Sequence, residues 1–317
     1  MNGRLLLMLP ALWLAFTACQ ESLGPVDDTV RLVLRVHDSL PIPGDAPSGF
    51  RFETQFFRKA NGRLAETAYT LSLGGVIHAQ AGRYDMISYN FDTESVLFEG
   101  QRDHALLRAV SAPASAAARA LFEEVLDRAG VALNAPVALE PVVGEPGRLL
   151  VARLESLNLP LRHEGDPEVV LTADAWPVVI PCRLKVEGIQ GLENLSSAVG
   201  FLTGMVRGRY LGTGKPVGAA VLRFPLKKDD DASVLVARFT SFGCMADTPH
   251  WLYLLLTDTE GVRYLFSYDL TTRCLPAATE LDFTLSLDFT VPEPNLGGGG
   301  FIPSSDDWQG VKIPIYI

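Results

Sequence analysis

Positive charge is scarce in this 317-residue chain: 27 Lys and Arg stand against 37 Asp and Glu, a formal charge of −10. A protein that tracks a nucleic-acid backbone needs clustered cations to displace counterions, so nucleic acid is excluded as the expected partner. Histidine and cysteine are also few, five and four. His37, His78, His104, His163 and His250 are scattered, no two of them at ligand spacing, and no metal is expected from them. The chain lacks Gly-x-Ser-x-Gly, His-Glu-x-x-His and Cys-x-x-Cys. Gly212-Thr213-Gly214-Lys215 imitates a phosphate loop, but Arg209 stands for its leading Gly and Pro216 for the magnesium-binding Ser or Thr, so it reads as a hairpin turn. Asp229-Asp230-Asp231 and Ser305-Asp306-Asp307 lack the alternating oxygens, Gly and closing Glu of a calcium loop and read as solvated turns. No cofactor is implied, and the expectation is a protein that is not an enzyme.

Long apolar runs are confined to the N-terminus. Arg4 is followed by an apolar stretch from Leu5 to Phe16 and then by Thr17-Ala18-Cys19. This is shorter than the ~20 residues of a membrane-spanning helix and matches the ~7–15 of a signal-peptide core. Bulky Phe16 at −3 suits the lipoprotein pattern, an apolar residue at −3, a small one at −1 and Cys at +1. Residues 1–18 are therefore expected to be a cleaved signal peptide, Cys19 the lipidated residue, and 19–28 a polar tether. The partner so implied is a membrane, reached through acyl chains worth about 0.8 kcal/mol per buried CH₂, and the location the cell outer membrane, with the protein surface-exposed.

Three cysteines remain, an odd number on an oxidising export route. Cys244 and Cys274 flank an expected hairpin almost symmetrically about Asp258–Gly261, which permits a disulfide between them; Cys182, Cys244 and Cys274 read equally well as small buried hydrophobes.

Period-two alternation dominates the rest. Val30, Leu32, Leu34 and Val36 give one apolar face, and Phe50–Leu73 reads as a hairpin turning at Asn61-Gly62. Arg83–Phe91, Ser95–Phe98 and Leu149–Leu154 continue the pattern. The exception is Ser115–Ala129, with helical spacing and Gly130 as a stop. The polar turn His163–Pro167 is the expected boundary between an N-terminal domain, 29–165, and a C-terminal domain, 166–317. The latter carries about seven strands: Val178–Val186, Ser196–Arg207, Val217–Phe224, Ser233–Phe242, Trp251–Thr257, Val262–Leu270 and Leu281–Phe289. Asn295–Gly300 is a flexible link to a last strand, Val311–Ile317, which Pro314 confines to a sheet edge. Trp251, Tyr253 and Tyr264 fall on one expected hairpin, either as an aromatic face for sugar or as core and cross-strand pairs.

The lipobox at Cys19, the segment Gly82–Asn90, the run Val186–Leu195 leading to Leu202-Thr203-Gly204-Met205, and the closing Asp307-Trp308-Gln309-Gly310-Val311 resemble the fimbrillin-like and anchor-type fimbrial accessory lipoproteins of the Bacteroidota. The resemblance implies an all-β protein of two tandem transthyretin-like Greek-key β-sandwich domains, here with one helix inserted in the first. It further implies a non-catalytic fimbrial accessory, anchor or adhesin-like role, with fimbrial subunits as partners by strand addition; the alternative is a glycan-binding outer-membrane lipoprotein. In strand addition an open sheet edge takes up an extended segment through main-chain hydrogen bonds. Val311–Ile317 either finishes its own sheet or serves as such a donor.

Lipidation makes its own prediction: native cells fed radioactive palmitate label the wild-type protein, and Cys19→Ala abolishes that label. A labelled variant contradicts the assignment of Cys19.

Overall fold

The computed structural model describes residues 25–37, 50–132, 135–230 and 233–294. Residues 1–18, Cys19, the Asn295–Gly300 link and the Val311–Ile317 strand lie outside the described residues. The end of the expected tether is docked: Val26 bridges to His163, and the Asp27 carboxylate receives both Thr29 and Arg162.

Among the described residues, nineteen strands and one α-helix follow in chain order. They are β1 (Thr29–Val36), β2 (Phe52–Arg58), β3 (Leu64–Thr70), β4 (Gly74–His78), β5 (Gly82–Asn90), β6 (Val96–Glu99), β7 (Arg108–Ser111), α1 (Ala116–Arg128), β8 (Val142–Val143), β9 (Leu150–Leu159), β10 (Val169–Pro177), β11 (Ile180–Gln190), β12 (Leu195–Val206), β13 (Gly208–Tyr210), β14 (Ala219–Pro225), β15 (Lys227–Lys228), β16 (Val234–Ser241), β17 (Trp251–Asp258), β18 (Arg263–Asp269) and β19 (Leu281–Thr290). The all-β architecture with a single inserted helix is thus as expected.

The first sheet runs β3-β2-β5-β9-β10-β1-β4. Its edges β3 and β4 are joined through residues 71–73 and lie side by side, so the sheet curls, and the connecting loop is held to β1 by Leu34 N–H donating to Leu73 O (3.0 Å). Inside the curl lie Leu32, Leu34, Phe52, Phe56, Met86, Leu150 and Leu171. The β2–β3 turn falls at Asn61-Gly62, where Gly62 takes φ 67°, a left-handed conformation that glycine adopts without a Cβ penalty.

The second unit is a sandwich of the sheets β15-β16-β11-β19 and β18-β17-β12-β14-β8. Leu184, Val186, Leu202, Leu222, Phe224, Phe239, Leu254, Phe283 and Leu285 fill the space between them. Strand β19 shows strict alternation, with Leu281, Phe283, Leu285 and Leu287 buried and Asp282, Thr284, Ser286 and Asp288 exposed. The Gly212–Lys215 segment is the expected turn, closed by Tyr210 N–H to Lys215 O (2.9 Å).

Two expectations about organisation are corrected. The His163–Pro167 turn does not separate the units, because it joins β9 to its antiparallel neighbour β10 within the first sheet. After an earlier excursion through α1 and β8, the chain makes its last passage into the second unit at Val178-Val179, where Val179 is buried in apolar surroundings and no polar linker marks the passage. The helix, though encoded in the first half, covers the second sandwich. Its Ser115 cap accepts from Ala118 N–H (3.2 Å), and Phe122, Val125 and Leu126 pack on Phe201, Val221, Tyr253 and Leu255. Strand β8 follows it there, pairing in parallel with β14.

A third core joins the units. Phe57, Ile87, Tyr89 and Val151, on the outer face of the first sheet, pack with Leu107, Ala109, Val206, Leu211 and Phe242. Over them lies the sheet β13-β7-β6, in which β13 from the second half pairs with β7 from the first. Leu211 N–H donates to Leu107 O (2.8 Å) and Ser111 N–H to Arg207 O (2.9 Å).

Phe122→Ala is expected to cost about 3–5 kcal/mol, the range for a buried phenylalanine, read as a lower urea midpoint. Faster amide exchange should appear in β12 and β17, not in the first sheet.

Asp85 sets an acid limit. Burial opposes its ionisation, but hydrogen bonds from Lys59 (2.8 Å) and Ser156 N–H (2.8 Å) outweigh burial and hold its pKa below the usual carboxylate value. Ser156 itself sits at φ 55°, so the carboxylate props a strained turn of the backbone. A depressed pKa stabilises the fold above the unfolded value of about 3.9, and that stability is lost as pH falls through the folded value. Asp85→Asn should therefore lower the urea midpoint at pH 7 and flatten its fall between pH 5 and 3 relative to wild type.

Candidate functional site

The β17–β18 hairpin carries the aromatic residues picked out from the sequence, but it does not gather them. Cross-strand partners share a face, and the register sets Trp251 opposite Asp269, Tyr253 opposite Ser267 and Tyr264 opposite Leu256. Trp251 and Tyr253, two apart, therefore point to the helix side and Tyr264 to the sandwich interior. Trp251 is 37% exposed, whereas Tyr253 is buried with its ring 6.3 Å from Phe122. Tyr264 donates its hydroxyl to Asp258 Oδ2 (3.1 Å) and packs 4.9 Å from Phe289; burial and then Asp258 push its pKa up to about 12. Of the two readings the sequence left open, core and cross-strand pairing describes Tyr253 and Tyr264, one covered by α1 and the other by the facing sheet, while Trp251 stays partly exposed.

The same hairpin assembles a different group. Its open end brings together the chain before β17 and the chain after β18. His250 precedes β17 directly, its N–H bound to Thr271 Oγ1 (3.0 Å), and its carbonyl accepts from Leu270 N–H (2.8 Å). Cys274 lies in the turn after β18, its N–H bound to Leu270 O (3.0 Å). Cys244 comes in from the end of β16 and bridges to Met205 of β12. Cys244 Sγ, Cys274 Sγ and a ring nitrogen of His250 lie within 4.8 Å of one another, and all three residues are buried.

The two sulfurs for which a disulfide was one of two readings are thus neighbours, both buried and both free thiols. They form a tightly coupled pair. The hydrogen bond from Cys274 holds the Cys244 thiol down to about 6 against the opposing effect of burial, with His250 adding to the lowering; the same bond raises Cys274. Cys182 stands apart in the sandwich core, 3.4 Å from Ser241 Oγ, with burial pushing its thiol up to about 12.

The cluster escaped the sequence reading because its spacings match no ligand motif. A signal was present all the same: the residue before the first strand of a hairpin and those after its second must fall at one end, and His250 and Cys274 occupy those places.

Edges complete the inventory. Among the described residues β19 pairs only with β11, leaving its other side without a strand. No helix among them is long and apolar enough to cross a membrane.

Comparison with known proteins agrees with the resemblance read from the sequence. A candidate fimbrium anchoring subunit of Bacteroides ovatus, Fim4B, is 26% identical over 201 residues, which are 62% of this chain and 52% of that protein. The chain thus spans about half the length of this curated relative. A candidate adhesin of Bacteroides ovatus superposes with a TM-score of 0.59 at 21% identity, covering 86% of this chain and 95% of that one. A Bacteroides thetaiotaomicron structure described among candidate polysaccharide-binding proteins (DUF1812) does so with a TM-score of 0.50 at 12% identity, covering 82% and 91%. At these identities the two structures speak for the β-sandwich fold. Residues 28–221, more than half of the chain, match the family described as a domain of unknown function, DUF5119, and the chain belongs to that family.

Proposed function

We propose that this chain is a fimbrial accessory protein of the cell surface, of anchor or adhesin-like type, that works by holding other protein chains and not by catalysis. The observation that carries the reading is its likeness, over 201 residues, to a candidate fimbrium anchoring subunit. The fold suits such a task. A protein that holds a filament carries tension, and here the two units are tied by β7–β13 pairing and by a shared core, so load on one passes to the other through backbone hydrogen bonds. Arg209 fastens β13 to the second unit, donating twice to Phe242 O (3.0 and 2.7 Å) and once to Gly214 O (2.9 Å).

In this reading Cys19 holds the protein in the outer membrane through lipid, with residues 29–294 on the outer surface. Subunits join by strand addition, and the outward side of β19 is the edge assigned to it: ten residues long, regular in its alternation and paired on one side. The segment Val311–Ile317 has the alternation such an edge accepts, whether supplied by this chain or matched by an incoming subunit.

Shearing the filaments from native cells and immunoblotting both fractions tests the role. The proposal expects the protein in high-mass, detergent-resistant filaments, with part retained in the membrane. Recovery solely as a membrane-bound monomer, from cells that make filaments, overturns it.

A further inference from the structure

The imidazole of His250 poses a problem of its own. It is 2% exposed, and neither ring nitrogen meets a partner in good hydrogen-bond geometry; what the ring does act on is the neighbouring thiol of Cys244. Buried polar groups are nearly always satisfied, and each exception calls for an explanation. Two thiols lie beside this ring, all three donor atoms within 4.8 Å. A disulfide would join the sulfurs and leave the imidazole without a partner, so it explains two of the three residues. A metal ion explains all of them.

We propose that Cys244, His250 and Cys274 bind a thiophilic divalent cation of the zinc class through the two sulfurs and one ring nitrogen. Soft thiolate with imidazole is the donor set such ions prefer over magnesium or calcium. Bond lengths of about 2.3 Å to sulfur and about 2.0–2.1 Å to nitrogen place tetrahedral donors about 3.5–3.8 Å apart, so donors that now lie within 4.8 Å of one another close by at most about 1.3 Å. The two thiols ionise on binding and release two protons to solvent, while two metal–sulfur bonds and one metal–nitrogen bond form without any redox change. Charge favours this composition, since a dication with two thiolates and a neutral imidazole sums to zero, which suits a buried site.

Glu140 is the acidic neighbour of the site. Its carboxylate accepts from Gly204 N–H (3.0 Å) and acts on His250 by charge alone, which favours an imidazole that carries or shares positive charge. Cys182 stays outside the donor set, its thiol given to Ser241. The site ties the link after β16, the start of β17 and the turn after β18, beside Phe242 and Met245 of the core shared by the two units. Metal would therefore fasten the end of the second sandwich from which that core is built.

The experiment uses the full chain purified from native cells under reducing conditions, stripped with a chelator and titrated anaerobically with cobalt(II) alone. The expected result is one equivalent bound, with thiolate-to-cobalt charge-transfer absorption and the visible bands of a tetrahedral ion, bleached by zinc(II). Zinc should also raise the thermal midpoint of the stripped protein. Cys182→Ser should retain the full spectrum, and His250→Ala should keep the thiolate band while weakening binding at least tenfold. The wild-type titration decides the matter even if a variant misfolds. Absence of saturable cobalt binding by the wild type overturns the proposal, and so does mass-spectrometric recovery of a Cys244–Cys274 disulfide from a parallel preparation made without reductant, its free thiols alkylated at cell lysis.

Discussion

Strands β2, β5 and β9 bury residues on both of their faces, and an antiparallel sheet in that state needs cover on both sides. Phe52, Phe56, Met86 and Leu150 face into the curl of the first sheet, while Phe57, Ile87, Tyr89 and Val151 face the other way. Each such side chain left in water would forfeit about 1.5–3 kcal/mol of burial. Cover for the outer face comes from both halves of the chain: Leu107 and Ala109 from one, Val206, Leu211 and Phe242 from the other. Gln55, on the outer face, donates through Nε2 to Glu53 Oε1 (2.6 Å) and to Tyr89 Oη (3.2 Å), while its own Oε1 is buried without a partner. The arrangement makes one body of two units, and it places β13, the Arg209 contacts and the Cys244–His250–Cys274 group around the same junction.

Strand existence was legible from the chain because alternation is a local property. Thr29–Val36, the Asn61-Gly62 hairpin and Leu281–Thr290 need no distant partner to declare a buried face. The helix was legible too, from its apolar spacing, its Ser115 cap and Gly130 at φ 69°. Its destination was not, since Phe122 and Leu126 say that something covers them without saying what. The same limit displaced the boundary between units. A polar turn such as His163–Pro167 looks like a linker whether it joins domains or neighbouring strands, and the last passage between units, at Val178-Val179, is apolar because it passes through the shared core.

The candidate sites divided in a similar way. Aromatic residues on one hairpin suggested a platform, but alternation sends Tyr264 to the opposite face from Trp251, and a helix from elsewhere in the sequence covers Tyr253. Histidine spacing argued against any cluster, because ligand motifs are read along one element, whereas His250, Cys244 and Cys274 meet only where three strand ends converge. Fold and family are therefore matters of pattern here, and the chemistry is a matter of which ends the topology brings together.

The seam is the claim on which the account of load transfer stands. It is tested most directly by following hydrogen–deuterium exchange of the β7 and β13 backbones across increasing urea in the intact chain. The account predicts that both strands lose protection together, with the same dependence on urea, because each supplies the other's hydrogen bonds and the same core lies beneath them. Exchange of β13 at lower urea, together with the second sandwich and with β7 still protected, would show two units that merely touch and would contradict it.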